Sequence, residues 1–119
     1  MNEHLLIVDN EAPTRELLSL YFQTYGFRVS TASTGKQAMD LISEADYDLV
    51  ILDINLGDVN GLDLLKPIKT AHPKMPVIIF TGLDINPTLV NKAKENGASG
   101  FIAKTQPLAE MLTEIHKAL

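Results

Sequence analysis

The chain has 119 residues, of which 45% are hydrophobic and 21% charged, and its formal net charge is −5. This composition fits one globular domain with a single core and argues against a disordered or membrane-spanning chain. The acidic balance argues against a surface that tracks nucleic-acid phosphates. The absence of cysteine excludes disulfides, the three histidines lack zinc-ligand spacing, and no signal peptide is visible. We therefore expect one domain over residues 1–119, located in the cytoplasm.

Five short apolar runs alternate with five amphipathic stretches along the chain. The runs predict strands at 5–8, 28–32, 48–53, 77–80 and 99–103. Helical spacing between them predicts helices that begin near Ala12, Gly35, Leu62, Pro87 and Pro107. The second strand is less hydrophobic than the others, so we expect it near a sheet edge. We place Leu17, Tyr25, Ala45 and Leu119 on the apolar faces of their helices, and Pro67 inside the third helix.

Polar side chains follow four of the predicted strands at the point where each strand ends. Continuous apolar strands that alternate with helices indicate a parallel sheet covered on both faces. In such sheets the functional site lies at the carboxyl ends of the strands. The residues at these ends are Asp9, Asn10 and Glu11 after the first strand, Asp53 after the third, Thr81 after the fourth and Lys104 after the fifth. We expect these groups to meet in one crevice.

One family has a typical order of residues at its strand ends. Acids follow the first strand, and one Asp, one Thr and one Lys then close later strands in this order. The chain resembles the response regulator receiver domains of two-component signalling, from residue 5 to residue 119. The resemblance implies an α/β, flavodoxin-like three-layer sandwich. Its five-stranded parallel sheet would have the order 2-1-3-4-5, with five helices. It also implies a single receiver domain over 1–119, with no output domain in this chain.

The resemblance implies a phosphoacceptor role, which physical reasoning supports. Asp53 would take a phosphoryl group from a histidine kinase or phosphotransfer protein, and a divalent cation would bridge the two anions. The expected ligands of Mg²⁺ are Asp9, Asn10, Asp53 and the backbone carbonyl of Asn55. Lys104 and Thr81 would contact the phosphoryl oxygens. We expect no enzyme activity beyond self-phosphorylation and self-dephosphorylation.

The resemblance also implies a conformational switch. Thr81 would move toward the phosphoryl group and Phe101 would follow it, although an ordinary core role for Phe101 stays open. The output face would comprise the fourth helix, fifth strand and fifth helix, roughly 86–119, where a homodimer or an unknown effector would bind. Leu83 would flank the phosphate and influence its hydrolysis. We expect no direct contact of this domain with nucleic acid or membrane.

Three positions depart from the family pattern, and one of them is Thr105, which stands where the family usually has a proline after Lys104. Asn10 stands where the family usually has a second acid, so we expect weaker Mg²⁺ binding and a less depressed pKa of Asp53. Glu11 could supply part of the missing charge. Gly57 replaces a proline that is common in the loop after the phosphoacceptor, and this replacement should loosen the loop.

Three alternatives have different sequence signatures. A phosphatase of the haloacid dehalogenase type would carry a second aspartate where Asn55 stands, and would need a cap that 119 residues do not accommodate. A flavin carrier would need a Ser/Thr/Gly phosphate cradle, and this chain lacks both that cradle and Trp. The third is a degenerate receiver that acts as a phosphorylation-independent protein-interaction module, with Asn10 as its first sign.

Overall fold

The computed structural model describes residues 2–82 and 85–119, in which five strands and five helices alternate. The strands are His4–Val8 (β1), Arg28–Ala32 (β2), Leu49–Leu52 (β3), Val77–Thr81 (β4) and Gly100–Ala103 (β5). The helices are Ala12–Thr24 (α1), Gly35–Glu44 (α2), Leu62–Ala71 (α3), Pro87–Glu95 (α4) and Leu108–Ala118 (α5). Leu83 lies outside the described residues. No helix in the described ranges is long and apolar enough to cross a membrane.

The five strands form one parallel sheet in the order β2-β1-β3-β4-β5, which confirms the predicted topology. The less hydrophobic β2 lies at an edge, as predicted. Backbone pairing continues past the strand ends: the Asp53 N–H donates to the Val8 carbonyl over 2.9 Å, and the Lys104 N–H donates to the Thr81 carbonyl over 2.8 Å. These bonds align the carboxyl ends of neighbouring strands at the same end of the sheet.

Successive side chains of the central strands are buried on opposite faces of the sheet, as the strand period of two requires. Leu5 and Ile7 of β1 pack into the cluster that contains residues of α1 and α5. Leu6 and Val8 pack into the cluster that contains residues of α2, α3 and α4. Full burial of one such side chain contributes about 1.5–3 kcal/mol. The continuous apolar strands therefore stabilise a three-layer sandwich, as predicted.

Helix ends follow local sequence signals. The Thr34 side chain accepts a hydrogen bond from the Gln37 N–H over 3.1 Å at the start of α2. Asn86 caps α4 in the same way through the Leu89 N–H over 2.9 Å, which confirms the predicted cap before Pro87. Side-chain caps of this kind typically contribute about 1 kcal/mol each.

Four apolar residues that we assigned to helix faces turn out to be exposed, so these predictions are wrong. Leu17 and Tyr25 are 56% and 50% exposed, because α1 buries only the narrower stripe of Leu18 and Phe22. Ala45 is the residue after α2, and its extended backbone carries it out of the helical face. Leu119 is 46% exposed because it follows the last residue of α5. Pro67 lies inside α3, as predicted.

Candidate functional site

An open crevice of about 280 Å³ lies at the carboxyl ends of the strands. Its lining residues are Asn10, Glu11, Asp53, Asn55, Thr81, Gly82 and Lys104. Asp9 is fully buried and reaches the same group of side chains through Lys104. Within the described ranges, each residue that the sequence predicts for phosphate or metal chemistry therefore lies at this crevice or directly against it. The crevice is open enough to admit a small anionic group.

The Lys104 ammonium group lies among three carboxylates. Its Nζ is 2.8 Å from Asp9 Oδ2, 3.0 Å from Asp53 Oδ2 and 3.1 Å from Glu11 Oε1. The same Nζ lies 5.6 Å from the centre of the Phe80 ring. Burial alone would lower the pKa of Lys104, but the three carboxylates outweigh burial and raise the pKa above its ordinary value. Lys104 therefore stays positively charged and holds the acidic groups together.

Asp53 directly follows β3 and is only 3% exposed, so little of its carboxylate reaches the surface of the crevice. Its Oδ1 accepts a long hydrogen bond of 3.4 Å from the Asn55 N–H, and its Oδ2 accepts one from Lys104. Burial raises the pKa of Asp53, the bond to Lys104 opposes this effect, and the charge of Asp9 adds to it. The net pKa of Asp53 lies above the ordinary aspartate value. A divalent cation bound in addition to Lys104 would lower this pKa and favour the ionised carboxylate.

The two oxygens of the buried Asp9 carboxylate have different partners. Its Oδ1 accepts the Glu11 N–H over 2.8 Å, and its backbone carbonyl accepts a bond from Arg15 over 2.7 Å. Its Oδ2 forms the 2.8 Å ion pair with Lys104 Nζ and has no further hydrogen-bond donor within the described part of the chain. A buried carboxylate oxygen normally has a hydrogen-bond partner or a cation.

The carboxylates of Asp9 and Asp53 and the amide of Asn10 form a set of oxygen donors that suits Mg²⁺. Across residues 2–82 and 85–119, no three His, Cys, Asp or Glu side chains already stand as a metal-binding cluster. In this geometry Lys104 Nζ is the cation that the acidic oxygens share. The donor types therefore fit the expected ion, and Lys104 and the ion would compete for the same oxygens.

The loop after β3 returns closely against its own start at Gly61. The Gly61 N–H donates to the Ile54 carbonyl, and a Cβ at position 61 would collide with the backbone carbonyl of Asp53. Only glycine allows this approach, since any side chain would displace the backbone of Asp53. Gly61 therefore fixes the backbone that carries the candidate nucleophile.

Thr81 and Phe101 lie on neighbouring strands but in different settings. Thr81 is 1% exposed at the end of β4 and lines the crevice. Phe101 pairs in register with Ile79, two residues before Thr81, and packs partly buried against the cluster on the α2–α3–α4 side. Phe101 is not a lining residue of the crevice, and instead borders a separate cavity of about 240 Å³ against α5.

Sequence analysis did not single out Asp58 or Arg15. The Asp58 carboxylate accepts hydrogen bonds from the Gly35 and Lys36 N–H groups, which lie 23 and 22 residues earlier in the chain. Arg15 reaches back from α1 to the carbonyl of Asp9. Neither contact has a local sequence signal, because each depends on how separate elements pack.

Comparisons with known proteins agree with this fold. The chain matches the family model of the response regulator receiver domain over residues 5–116. The transcriptional regulatory protein CusR of Escherichia coli (strain K12) is 37% identical over 117 residues, which are 97% of this chain and 50% of CusR. The cell cycle transcriptional regulator CtrA of Caulobacter vibrioides is 32% identical over 112 residues, which are 94% of this chain and 48% of CtrA.

A solved structure adds to these sequence matches. The receiver domain of NtrX from Brucella abortus is 32% identical, with a TM-score of 0.89 and coverage of 97% of both chains. The chain spans about half the length of CusR and of CtrA. From the fold, the strand-end residues and these similarities, we conclude that the chain belongs to the response regulator receiver domains of two-component systems.

Proposed function

We propose that Asp53 is the phosphoacceptor of this receiver domain and takes its phosphoryl group from a phosphohistidine of a sensor kinase or phosphotransfer protein. The observation that carries this proposal is the Asp53 carboxylate at an open crevice, 3.0 Å from Lys104 Nζ. One carboxylate oxygen attacks the phosphorus, the P–N bond breaks, and the departing histidine nitrogen keeps the electron pair. The product is an aspartyl phosphate.

Mg²⁺ is the cofactor that we propose for this transfer. Asp9, Asn10, Asp53 and the Asn55 carbonyl would hold the ion, which would neutralise charge on the acceptor and the phosphoryl oxygens. The buried Oδ2 of Asp9, which has the Lys104 ammonium as its cation, supports this assignment. Because Asn10 contributes an amide instead of a carboxylate, we propose weaker binding of the ion than a second acid would give.

Lys104 and Thr81 would then bind the phosphoryl oxygens. Hydrogen bonds to charged groups contribute about 1.5–3 kcal/mol each. Two of them approach the roughly 5.5 kcal/mol that moves a two-state equilibrium from 1:99 to 99:1. If Thr81 moves toward the phosphoryl group, the displacement would reach Phe101 because β4, which carries Thr81, pairs with β5, which carries Phe101. We therefore propose α4, β5 and α5 as the output face, where a second copy or an effector would bind.

The domain would have no enzyme activity beyond self-phosphorylation and self-dephosphorylation. CusR and CtrA are transcriptional regulators, but the net charge of −5 does not favour DNA binding by this chain. Any contact with DNA would come from another domain or another chain. We propose a cytoplasmic location, where a sensor kinase could reach the crevice.

Intact-protein mass spectrometry after incubation with acetyl phosphate and Mg²⁺ tests the proposal. We expect the mass of one phosphoryl group to be gained, and the gain to be lost when Mg²⁺ is omitted. Asp53→Asn is the matched control, since it keeps the shape of the side chain and removes the nucleophile. No gain at high Mg²⁺ would instead indicate a phosphorylation-independent interaction module.

A further inference from the structure

The loop between β3 and α3 is attached at its tip to the start of another helix. Asp58 Oδ1 accepts the Gly35 N–H over 3.0 Å, and Asp58 Oδ2 accepts the Lys36 N–H over 3.2 Å. These N–H groups belong to the first two residues of α2, where a helix has no internal partners for its donors. Thr34 binds the next N–H, that of Gln37. Asp58 thus completes the cap of α2 from a distant loop.

Two glycines make this attachment possible. Gly57 has a φ of +84°, a conformation that proline cannot adopt and that other residues adopt with strain. It turns the chain directly before Asp58. At Gly35, a Cβ would collide with the Val59 side chain, so glycine lets the loop tip lie against α2. The backbone conformation at Gly57 therefore differs from any that a proline at this position would allow.

The same loop carries a residue of the candidate site. Asn55 lines the crevice and forms a backbone bridge to Asn60 across the loop. The base of the loop is fixed where Gly61 contacts the backbone of Asp53. Asp58 fixes the opposite end. These contacts attach the loop at its base and at its tip, and Asn55 lies between the two attachments.

We infer that Asp58 is a positioning residue of the phosphoacceptor site, and that it restrains the loop segment whose Asn55 carbonyl would help to hold a divalent cation beside Asp53. The inference rests on the proposed function. The Gly35 N–H lowers the pKa of Asp58 and the Lys36 N–H adds to this effect, so the carboxylate is ionised at neutral pH and suits the positive end of the α2 dipole.

The test compares Asp58→Ala and Asp58→Asn with the unmodified protein. Mg²⁺ is titrated while NMR follows the backbone amides of Asp53 and Asn55, and unfolding in urea is measured in parallel. We expect Asp58→Ala to raise the dissociation constant for Mg²⁺ about tenfold. This is the lower end of the range of effects seen when a residue that orients a metal ligand is removed. Asp58→Asn keeps one of the two acceptors and should give an intermediate constant.

Asp40→Ala is the matched control, because it removes an exposed carboxylate from α2 and changes the net charge equally. We expect it to leave the dissociation constant within about twofold. Equal weakening by Asp40→Ala would overturn the inference, because it would show an effect of net charge alone. A wild-type constant in a folded Asp58→Ala variant would also overturn it.

Amide hydrogen exchange separates this inference from the proposed function. We expect Asp58→Ala to accelerate exchange at Gly35, Lys36 and Asn55, whether or not the protein binds Mg²⁺ or phosphate. Unchanged exchange at Asn55 would refute the positioning role. If the unmodified protein bound no Mg²⁺, the proposed function would fail, and the exchange at Asn55 would still decide whether Asp58 restrains the loop.

Discussion

Replacement of Lys104 by Met should strongly destabilise the fold, because it leaves Asp9 and Asp53 buried without a cation. At an effective dielectric constant of about 20, unit charges about 3 Å apart attract by roughly 5–6 kcal/mol. Desolvation offsets much of this attraction, and loss of one partner of a buried pair costs about 3–5 kcal/mol. The Lys104 side chain is 19% exposed, so we take the low end, about 3 kcal/mol. The Glu11 side chain is 62% exposed, and its pair contributes at most about 1 kcal/mol.

Urea and thermal unfolding at neutral pH measure this change. For a domain of this size, about 3 kcal/mol corresponds to roughly 10–15 °C in Tm. Mg²⁺ at 100 times its dissociation constant would stabilise the native protein by about 2.7 kcal/mol. At the same absolute Mg²⁺ concentration the gain should be larger in Lys104→Met, because the lysine no longer competes with the ion for the oxygens of Asp9 and Asp53.

Lys117→Met is the control, since Lys117 is 69% exposed and pairs only with Glu114 at 3.5 Å among the described residues. We expect its effect to stay below about 1 kcal/mol. Equal stability losses in the two variants would refute the reasoning. So would a Lys104→Met variant that unfolds at the wild-type urea concentration.

Three further changes test the site. Asn10→Asp restores a carboxylate, and isothermal titration should show roughly tenfold tighter Mg²⁺ binding; unchanged affinity would contradict the ligand role of position 10. Gly61→Ala places a Cβ against the Asp53 carbonyl, and urea unfolding should show a loss of about 1–3 kcal/mol. Asp53→Asn should raise stability at neutral pH, because burial raises the pKa of Asp53 and its ionised form is unfavourable in the folded state. This gain should shrink as pH falls through the folded pKa of Asp53, since the wild-type carboxyl is then protonated; a gain that grows toward acid pH would contradict the sign.

The fold was predictable because the strands are apolar throughout and each ends at a clear boundary. The run before Asp53 and the Gly that follows α1 are local signals, and local signals give element order and the edge position of β2. Exposure was less predictable. Leu17 and Leu18 are both apolar and adjacent on α1, but only contact with the sheet decides that Leu18 is buried and Leu17 is not.

The site was predictable to the extent that it follows from strand ends. The parallel arrangement brings Asp53, Thr81 and Lys104 to one crevice, whatever their side-chain geometry. The sequence does not show that the ammonium of Lys104 contacts three carboxylates, since that depends on side-chain conformation. Nor does it show that Asp58 caps α2, because the two segments are separated by more than 20 residues.

Borohydride trapping tests the central claim, that Asp53 is the phosphoacceptor, most directly. An aspartyl phosphate is an acyl phosphate, and borohydride reduces it to homoserine at the phosphorylated position. After treatment with acetyl phosphate and Mg²⁺, peptide mapping should find homoserine at position 53 alone, and none when the phosphodonor is omitted. Homoserine at position 9, or its absence from a protein that has gained a phosphoryl group, would contradict the account.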